Sequence, residues 1–292
     1  MSESDELVPI TSQEHSQRCK VLFLQRRREF KALNAGEELS TYAEEKKIDY
    51  KKLLDLWPTV FTHYAERFPE NVLSATNHSL IISNVASHDK RLYSQDAETG
   101  AGMSFVHLLV IPRGDKGEQR GSCIEQWLIP NSHSHYSLQH RLSLDGSWII
   151  TEMQSHSRDF WSQPDSVDII IQAVSKAHEI FVRKENLQLS AAAANSDTEA
   201  LKAFQENLRK AEQSRKKLTE RLRTVELNLD DFFFGFHCMP NASVGYLHMH
   251  VILTPRKFRK HITHRNDWKT IPADVVIEVI DEEKRRDSGH DG

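Results

Sequence analysis

Every second residue between 246 and 253 has an aliphatic or methionine side chain, and this strict alternation predicts a β-strand. Side chains on a strand point alternately to its two faces. One face is apolar and is expected to lie in a core: Leu247, Met249, Val251 and Leu253. The opposite face contains the candidate chemistry: Tyr246, His248, His250 and Ile252. The two histidines are expected about 7 Å apart along the strand, a spacing that suits two nitrogens acting on neighbouring atoms of one phosphate.

The residues before this strand predict its partner in an antiparallel hairpin. The segment from Gly235 reads Gly-Phe-His237-Cys-Met-Pro240-Asn241-Ala-Ser243, a strand that ends in a turn of Pro, Asn and Ser. The turn places small residues and free backbone N–H groups beside the histidines, where they can bind an oxyanion. Two more strands are predicted, over residues 78–85 and from His107 to Pro112.

Apolar residues at three- and four-residue spacing predict several helices. They cover residues 17–33, 49–68, 166–189, 201–225 and 272–283, the last of which also fits a strand. Pro58 divides the second helix into two short ones. The unbroken apolar seam of residues 201–225 can pack on the preceding helix as a hairpin, or on a partner. The cationic turn of Arg26, Arg27 and Arg28 is interpreted as a solvated face, with phosphate binding as the alternative.

Residues 114–153 predict a loop followed by a second hairpin of strands. A Gly-rich charged loop leads to an apolar segment, and strands at 137–144 and 147–153 are joined by the two-residue turn Asp145-Gly146. A second pair of alternating histidines, His133 and His135, lies between these elements. We interpret it as a surface loop rather than a metal pair, because no Cys or clustered carboxylate completes a tetrahedral set. No metal is therefore expected.

Composition narrows the class of protein further. With 292 residues, 38% hydrophobic and 27% charged, the chain can bury a substantial core. Its three cysteines are widely spaced without a C-x-x-C motif, which argues against structural zinc and a disulfide framework. Neither a signal-peptide pattern nor an 18-residue apolar run occurs. A soluble protein of the cytoplasm, the nucleus or both is expected, with no membrane partner.

The overall charge shows no bias towards polyanions, since the net charge is −4 and the pI is near 6.5. Any nucleic-acid partner would therefore need a local patch. A candidate patch directly follows the histidine strand: Arg256, Lys257, Arg259 and Lys260. This patch can steer a polyanionic substrate towards the histidines. The alternative interpretation is an ordinary basic surface loop without a binding role.

Two motifs resemble one known family. The run Tyr246-Leu-His248-Met-His250-Val-Ile252 resembles the signature of the histidine-triad (HIT) superfamily, His-φ-His-φ-His-φ-φ with φ apolar, with Tyr at the first position. Independently, His107-Leu-Leu-Val-Ile-Pro112-Arg resembles the strand that precedes the triad in Hint, Fhit and aprataxin proteins. The run from Gly235 to Pro240 and the basic, Trp-containing segment 256–268 are most similar to aprataxin.

This resemblance implies an α+β, HIT-like fold with a central antiparallel sheet and packed helices. An N-terminal helical extension with a disordered start is expected over residues 1–70. The HIT-like domain is expected over residues 71–283, with an insertion at about 114–226 that contains the strand hairpin and two helices. Residues 284–292 are expected to form a disordered tail.

The resemblance also implies roles for individual residues. His248 would attack the α-phosphate, and His250 would hydrogen-bond a phosphate oxygen or the leaving group. The Tyr246 hydroxyl can donate and accept, so it could keep the supporting role of the first histidine. The ribose hydroxyls would be held by Asn84 or Asp89. The residues expected around the nucleotide and its phosphate are Ser243, Asn241, His107, Asn84 and His237.

The expected activity is hydrolysis without a cofactor. An AMP-like group would be cleaved from a phosphoanhydride, a phosphoramidate or an adenylated end through a covalent intermediate on His248. His250 fits the hydrolase branches, because the uridylyltransferase branch has Gln there. Two alternatives stay open: a cap hydrolase like the scavenger decapping enzymes, or a nucleotide-binding scaffold whose site has decayed. The expected partners are a nucleotide or nucleotide conjugate and a second copy of the chain, while nucleic acid is not required.

Overall fold

The computed structural model describes residues 10–32, 44–45, 60–84, 104–113, 146–238, 247–259 and 267–287. It is an α+β structure built on one six-stranded antiparallel sheet of order β1-β2-β3-β5-β4-β6. The strands are β1 (Val72–Ala75), β2 (Ser79–Ser83), β3 (His107–Pro112), β4 (Phe232–His237), β5 (Met249–Leu253) and β6 (Thr270–Pro272). The predicted central antiparallel sheet with packed helices is confirmed.

The histidine strand lies in the middle of this sheet. As its alternation predicts, β5 buries Met249, Val251 and Leu253 in the main core. It pairs with β3 on one side and with β4 on the other, so the predicted β4–β5 hairpin pairing is confirmed. In this register Leu109 of β3 and Gly235 of β4 both lie opposite His250.

The helices are α1 (Gln13–Ala32), α2 (Tyr64–Arg67), α3 (Gly146–Trp161), α4 (Ser166–Ala194), α5 (Thr198–Thr224) and α6 (Ala273–Asp287). Helices α3 and α6 pack on the apolar face of the sheet, whereas α2 lies on the opposite face. The core between the helices and the sheet contains Ile150 and Met153 of α3 together with Val276 and Val279 of α6. The other face of the sheet carries the histidines. Among the described helices, none is long and apolar enough to cross a membrane.

The predicted strand at residues 147–153 is wrong, because this segment belongs to helix α3. Ile149, Ile150, Met153 and Phe160 are all buried, and their spacing places them along one side of a helix. Gly146 begins this helix, which packs on β2 and β3. The partner strand predicted at 137–144 lies outside the described residues.

Helices α4 and α5 form the predicted antiparallel hairpin, so the seam of residues 201–225 packs within the chain. The base of the hairpin joins the main core through Ile170, Val174, Leu218 and Leu222. Farther out, the two helices are held together by polar contacts such as His178 with Glu212, at 2.9 Å between Nε2 and Oε2.

The N-terminal segment already packs on the sheet at residue 10, within the part of the chain where a disordered start was expected. Ile10 is buried against Phe233 and Ile252. Nε2 of His15 donates a hydrogen bond to the Thr270 carbonyl oxygen, at 2.9 Å. The cationic turn is not a solvated face throughout, because the side chain of Arg27 is buried and paired with Glu283 of α6.

The C-terminal end also differs from expectation. The segment that fits either a helix or a strand is helix α6, and it continues to Asp287. The disordered tail predicted from residue 284 is therefore wrong for residues 284–287. Lys284, Arg285 and Arg286 occupy the last turn of the helix, where cations interact favourably with its negative C-terminal end.

Candidate functional site

Four histidines lie on one face of the sheet, on or next to three adjacent strands. His107 begins β3 and His237 ends β4. His250 lies in the central strand β5, and His248 directly precedes that strand. The ring centroids are 5.1 Å apart for His107 and His250, 4.8 Å for His248 and His250, and 4.0 Å for His237 and His250. His250 therefore lies at the centre of the cluster. The His248–His250 separation is shorter than the roughly 7 Å expected along an extended strand.

Hydrogen bonds extend this cluster into a polar row across five strands. Asn84, directly after β2, contacts His107, with 3.0 Å between its Nδ2 and the ring Nδ1. His107 Nε2 lies 2.9 Å from His250 Nδ1. At the other end, His237 Nε2 lies 3.0 Å from the Thr270 hydroxyl of the edge strand β6. The row forms because cross-strand neighbours on one face of an antiparallel sheet are close.

Burial keeps three of these imidazoles neutral: those of His107, His237 and His250. Desolvation lowers the pKa of His107 to about 3, with smaller contributions from the charges of His248 and Arg259. Desolvation also lowers the pKa of His250 and of His237 well below 6.5, and the neighbouring cationic groups act in the same direction. Near neutral pH each of these rings is therefore uncharged, with one N–H donor and one acceptor nitrogen.

The Asn84 contact fixes which nitrogen holds each proton. The amide nitrogen of Asn84 can only donate, so Nδ1 of His107 accepts and its Nε2 is the donor. Nδ1 of His250 must then accept from His107. The remaining proton of His250 lies on Nε2, which is buried and has no hydrogen-bond partner among the described residues. A buried donor without a partner is costly, and an anionic oxygen would satisfy it.

Aromatic side chains from the N-terminal part of the chain lie next to His248. The ring of Phe61 lies 5.2 Å from that of His248, centroid to centroid. Phe61 and Tyr64 also pack on an apolar patch of the same sheet face formed by Leu80, Ile82, Leu109 and Ile111. The predicted N-terminal extension therefore contributes directly to the surroundings of the site.

The structure brings together five of the predicted site residues: His107, His237, His248, His250 and Asn84. Asn84 was expected at the ribose hydroxyls, and its amide nitrogen instead contacts His107. Tyr246, Asn241, Ser243, Asp89, Lys260 and the pair His133 and His135 lie outside the described residues.

The predicted basic patch is only partly on the surface. Arg256 and Lys257 are exposed. Arg259 does not belong to the patch, because its side chain is 2% exposed and makes a bidentate ion pair with Asp267. Charge of opposite sign thus offsets this guanidinium, which also lowers the pKa of His107.

Two residues at the site were not predicted: Lys269 and Thr270. Thr270 lies opposite His237 in the β4–β6 pairing. The charge of Lys269 lowers the pKa of both His237 and His250. The sequence held no usable signal for either residue, because β6 has only three residues and its pairing with β4 is set by tertiary structure.

Neighbouring side chains engage ring nitrogens of the histidine cluster. Within the part of the chain that the structure describes, no group of three or more His, Cys, Asp or Glu side chains could hold a metal ion. Nδ1 of His250 is engaged by His107, and Nε2 of His237 by Thr270. The arrangement is better suited to donating hydrogen bonds to an anion.

Two surface cavities lie away from the histidines, on the helical hairpin. The larger one, about 580 Å³, is lined by a stretch of α4 that includes His178, Arg183 and Leu187. The other lies along α5 between Arg215 and Thr224. Each is lined by one helix only, so neither has the converging polar groups that are typical of a ligand site.

The fold and the site define an α+β protein with a row of neutral, hydrogen-bonded histidines across one face of its antiparallel sheet. Comparison with family models, with curated proteins and with solved structures finds no match.

Proposed function

We propose that this protein is a nucleotide hydrolase that uses His248 as a nucleophile at phosphorus, as in the HIT superfamily that its motifs resemble. The observation that carries the proposal is the unpartnered Nε2 donor of His250, 94% buried and next to His248. A phosphate oxygen bound to this donor would bring its phosphorus atom close to the His248 ring.

The proposed reaction has two steps. An unprotonated ring nitrogen of His248 forms a bond to the α-phosphorus while the bond from phosphorus to the leaving group breaks, and the leaving group takes the electron pair. Water then attacks the same phosphorus, the P–N bond breaks, and its electron pair returns to His248. The water proton is released, and the products are a nucleoside monophosphate and the free leaving group.

The hydrogen-bonded row supports both steps by fixing the donor in advance. Because Asn84 and His107 set the proton of His250 on Nε2, the donor points out of the chain of hydrogen bonds before substrate arrives. Preorganised donors stabilise developing negative charge without a reorganisation cost during the reaction. The rings of His107, His237 and His250 are neutral. None of them is therefore an imidazolium cation that would protonate or repel the nucleophile.

The proposal is tested by mass spectrometry of the intact protein after rapid quench with a dinucleoside polyphosphate or a lysyl-AMP phosphoramidate. We expect an adduct of the mass of AMP in the wild type and none in His248→Ala. His78→Ala is the matched control, because His78 contacts Trp148 outside the histidine row and should leave the adduct unchanged. AMP binding without adduct or turnover would overturn the hydrolase proposal in favour of a nucleotide-binding protein.

A further inference from the structure

Phe61 is an aromatic residue in direct contact with the proposed nucleophile. Its ring centroid lies 5.2 Å from that of His248, and the two ring planes are inclined by 44°. Both residues are buried, each with 7% of its surface exposed. An aromatic ring attracts a cation within about 6 Å of its centroid, and the attraction is stronger where water is excluded. Phe61 therefore lies within the range in which it acts on a positive charge carried by His248.

Packing on the sheet fixes the position of the Phe61 ring. The ring lies 6.2 Å from that of Tyr64, and the Phe61 carbonyl oxygen accepts a hydrogen bond from the Tyr64 backbone N–H, at 3.2 Å. Leu109 of β3 belongs to the same apolar cluster and lies opposite His250 in the strand pairing. The aromatic ring is therefore held at the border of the histidine row before substrate binds.

The proposed reaction places a positive charge on His248. A neutral imidazole has one N–H and one nitrogen with a free electron pair. When this pair forms the bond to phosphorus and the leaving group departs with the electrons of its own bond, the ring keeps its N–H and becomes a nucleotidyl-imidazolium. Water then attacks phosphorus, and the electron pair of the P–N bond returns to the ring. The charge thus exists only in the intermediate and in the two transition states beside it.

The neighbouring rings do not offset this charge. His250, whose centroid is 4.8 Å from that of His248, is neutral, as are His107 and His237. A neutral ring does not repel an imidazolium, but a buried cation is still costly without a group that stabilises it. The face of a phenyl ring carries negative charge density, which supplies such stabilisation without a carboxylate.

We propose that Phe61 stabilises the cationic form of His248 through a cation–π contact and thereby promotes formation of the nucleotidyl-imidazolium. The inference rests on the proposed function and adds to it a residue that lies outside both sequence motifs. Phe61 acts through His248 and not on the substrate, so it is a positioning residue.

Fluorinated phenylalanines at residue 61 test the contact while the ring keeps its shape. Each fluorine withdraws electron density from the ring face and weakens its attraction for a cation. Replacement of Phe61 with mono-, di- and trifluorophenylalanine should lower the pKa of His248 stepwise, by about 0.5 to 1 in total, as measured by NMR titration of the imidazole. The same replacements at Phe68, whose ring packs on Tyr64 at 5.2 Å, are the matched control and should leave this pKa unchanged. A constant or rising pKa of His248 in the residue 61 series would overturn the proposal.

Rapid-quench kinetics with a dinucleoside polyphosphate measure the consequence for the reaction. Phe61→Leu keeps an apolar side chain but lacks the ring, so it should slow formation of the His248 adduct by about 3- to 30-fold. Phe61→Tyr keeps the ring and should retain most of the wild-type rate, and Phe68→Leu should retain all of it.

The two measurements separate this inference from the hydrolase proposal. If fluorination at residue 61 lowers the pKa of His248 but the wild type forms no adduct, the cation–π contact stands and the hydrolase proposal fails. If the adduct forms and either the pKa or the rate of its formation does not depend on the ring at residue 61, the inference about Phe61 fails alone.

Discussion

Asn84 lies at one end of the histidine row and sets the protonation of two histidines in it. Its amide donates to His107, and this single contact determines the protonated nitrogen of both His107 and His250. An amide and a carboxylate have almost the same shape, but a carboxylate can only accept. Residue 84 is therefore a position where a small substitution can reverse the direction of the two hydrogen bonds that connect it through His107 to His250.

We expect Asn84→Asp to move the His250 proton from Nε2 to Nδ1. Nδ1 of His107 would then donate to the carboxylate, its Nε2 would accept from His250, and the anion donor would be lost. The kcat of hydrolysis should fall by about 100- to 1,000-fold, the range for removal of one such donor. Long-range proton–nitrogen NMR spectra of the ring nitrogens give the tautomers directly. Asn186→Asp, on the exposed surface of α4, is the matched control, and an unchanged His250 tautomer in Asn84→Asp would contradict this assignment.

The absence of a side chain at Gly235 allows β6 to approach β4 closely. A Cβ added there would lie 2.5 Å from Cε1 of Phe233, 2.8 Å from the Ile271 carbonyl oxygen and 2.9 Å from Cγ2 of Thr270. The backbone oxygen cannot move away without shifting β6. Since β6 contains Thr270 and follows Lys269, the absence of a side chain at Gly235 helps to place both residues at the site.

At the scale of elements, helix α1 is bound to α6 by charged groups. Arg27 Nε lies 3.0 Å from both carboxylate oxygens of Glu283, and the arginine side chain is 2% exposed. Lys20 contacts Glu278 and Glu282, at 2.8 Å each. The buried pair is the more important one, because exposed ion pairs contribute little to stability whereas breaking a buried pair leaves an uncompensated charge.

We predict that Arg27→Met lowers the free energy of unfolding by about 3 kcal/mol, because Glu283 would lose its counter-ion in a largely buried position. The double variant Arg27→Met/Glu283→Leu should recover most of this loss, since no charge is then left unpaired. Urea unfolding of the wild type, both single variants and the double variant measures the coupling. Additive effects of the two substitutions would show that the pair does not act as a unit.

At the scale of the whole molecule, the histidine row links folding to pH. His107, His237 and His250 have folded-state pKa values below the ordinary 6.5, so the folded protein binds fewer protons than the unfolded chain in mildly acidic solution. Their contribution is fully present above about pH 6.5. It is lost as the pH falls, because protonation then favours the unfolded chain.

The free energy of unfolding should therefore decrease below about pH 6.5, by up to ~1.4 kcal/mol per pH unit for each of the three histidines. Urea titrations between about pH 7.5 and pH 5 measure this slope. His107→Gln should reduce the slope by up to ~1.4 kcal/mol per pH unit, whereas His63→Gln, at an exposed histidine, should leave it unchanged. A stability that is constant over this range would mean that the row is accessible to protons in the folded protein.

The sequence determined the local features of this protein because they depend on periodicity. Alternation along residues 246–253 identified β5 and its two faces, and the three- and four-residue spacing identified the hairpin of α4 and α5. It failed at residues 147–153, where Asp145-Gly146 suggested a turn and the window was too short to reveal the helical period that continues to Phe160.

Only the tertiary structure decided how the histidines are arranged and which charges act on them. His107 and His250 are 143 positions apart, and Arg27 and Glu283 are 256 apart. Strand order places β3 and β4 on either side of β5, and burial in that sheet makes the rings neutral. A protonation state depends on every group within a few ångströms in space, and a one-dimensional pattern specifies neighbours only along the chain. For that reason the sequence identified His248 and His250, but not the donor on Nε2 of His250 or the cation at Lys269.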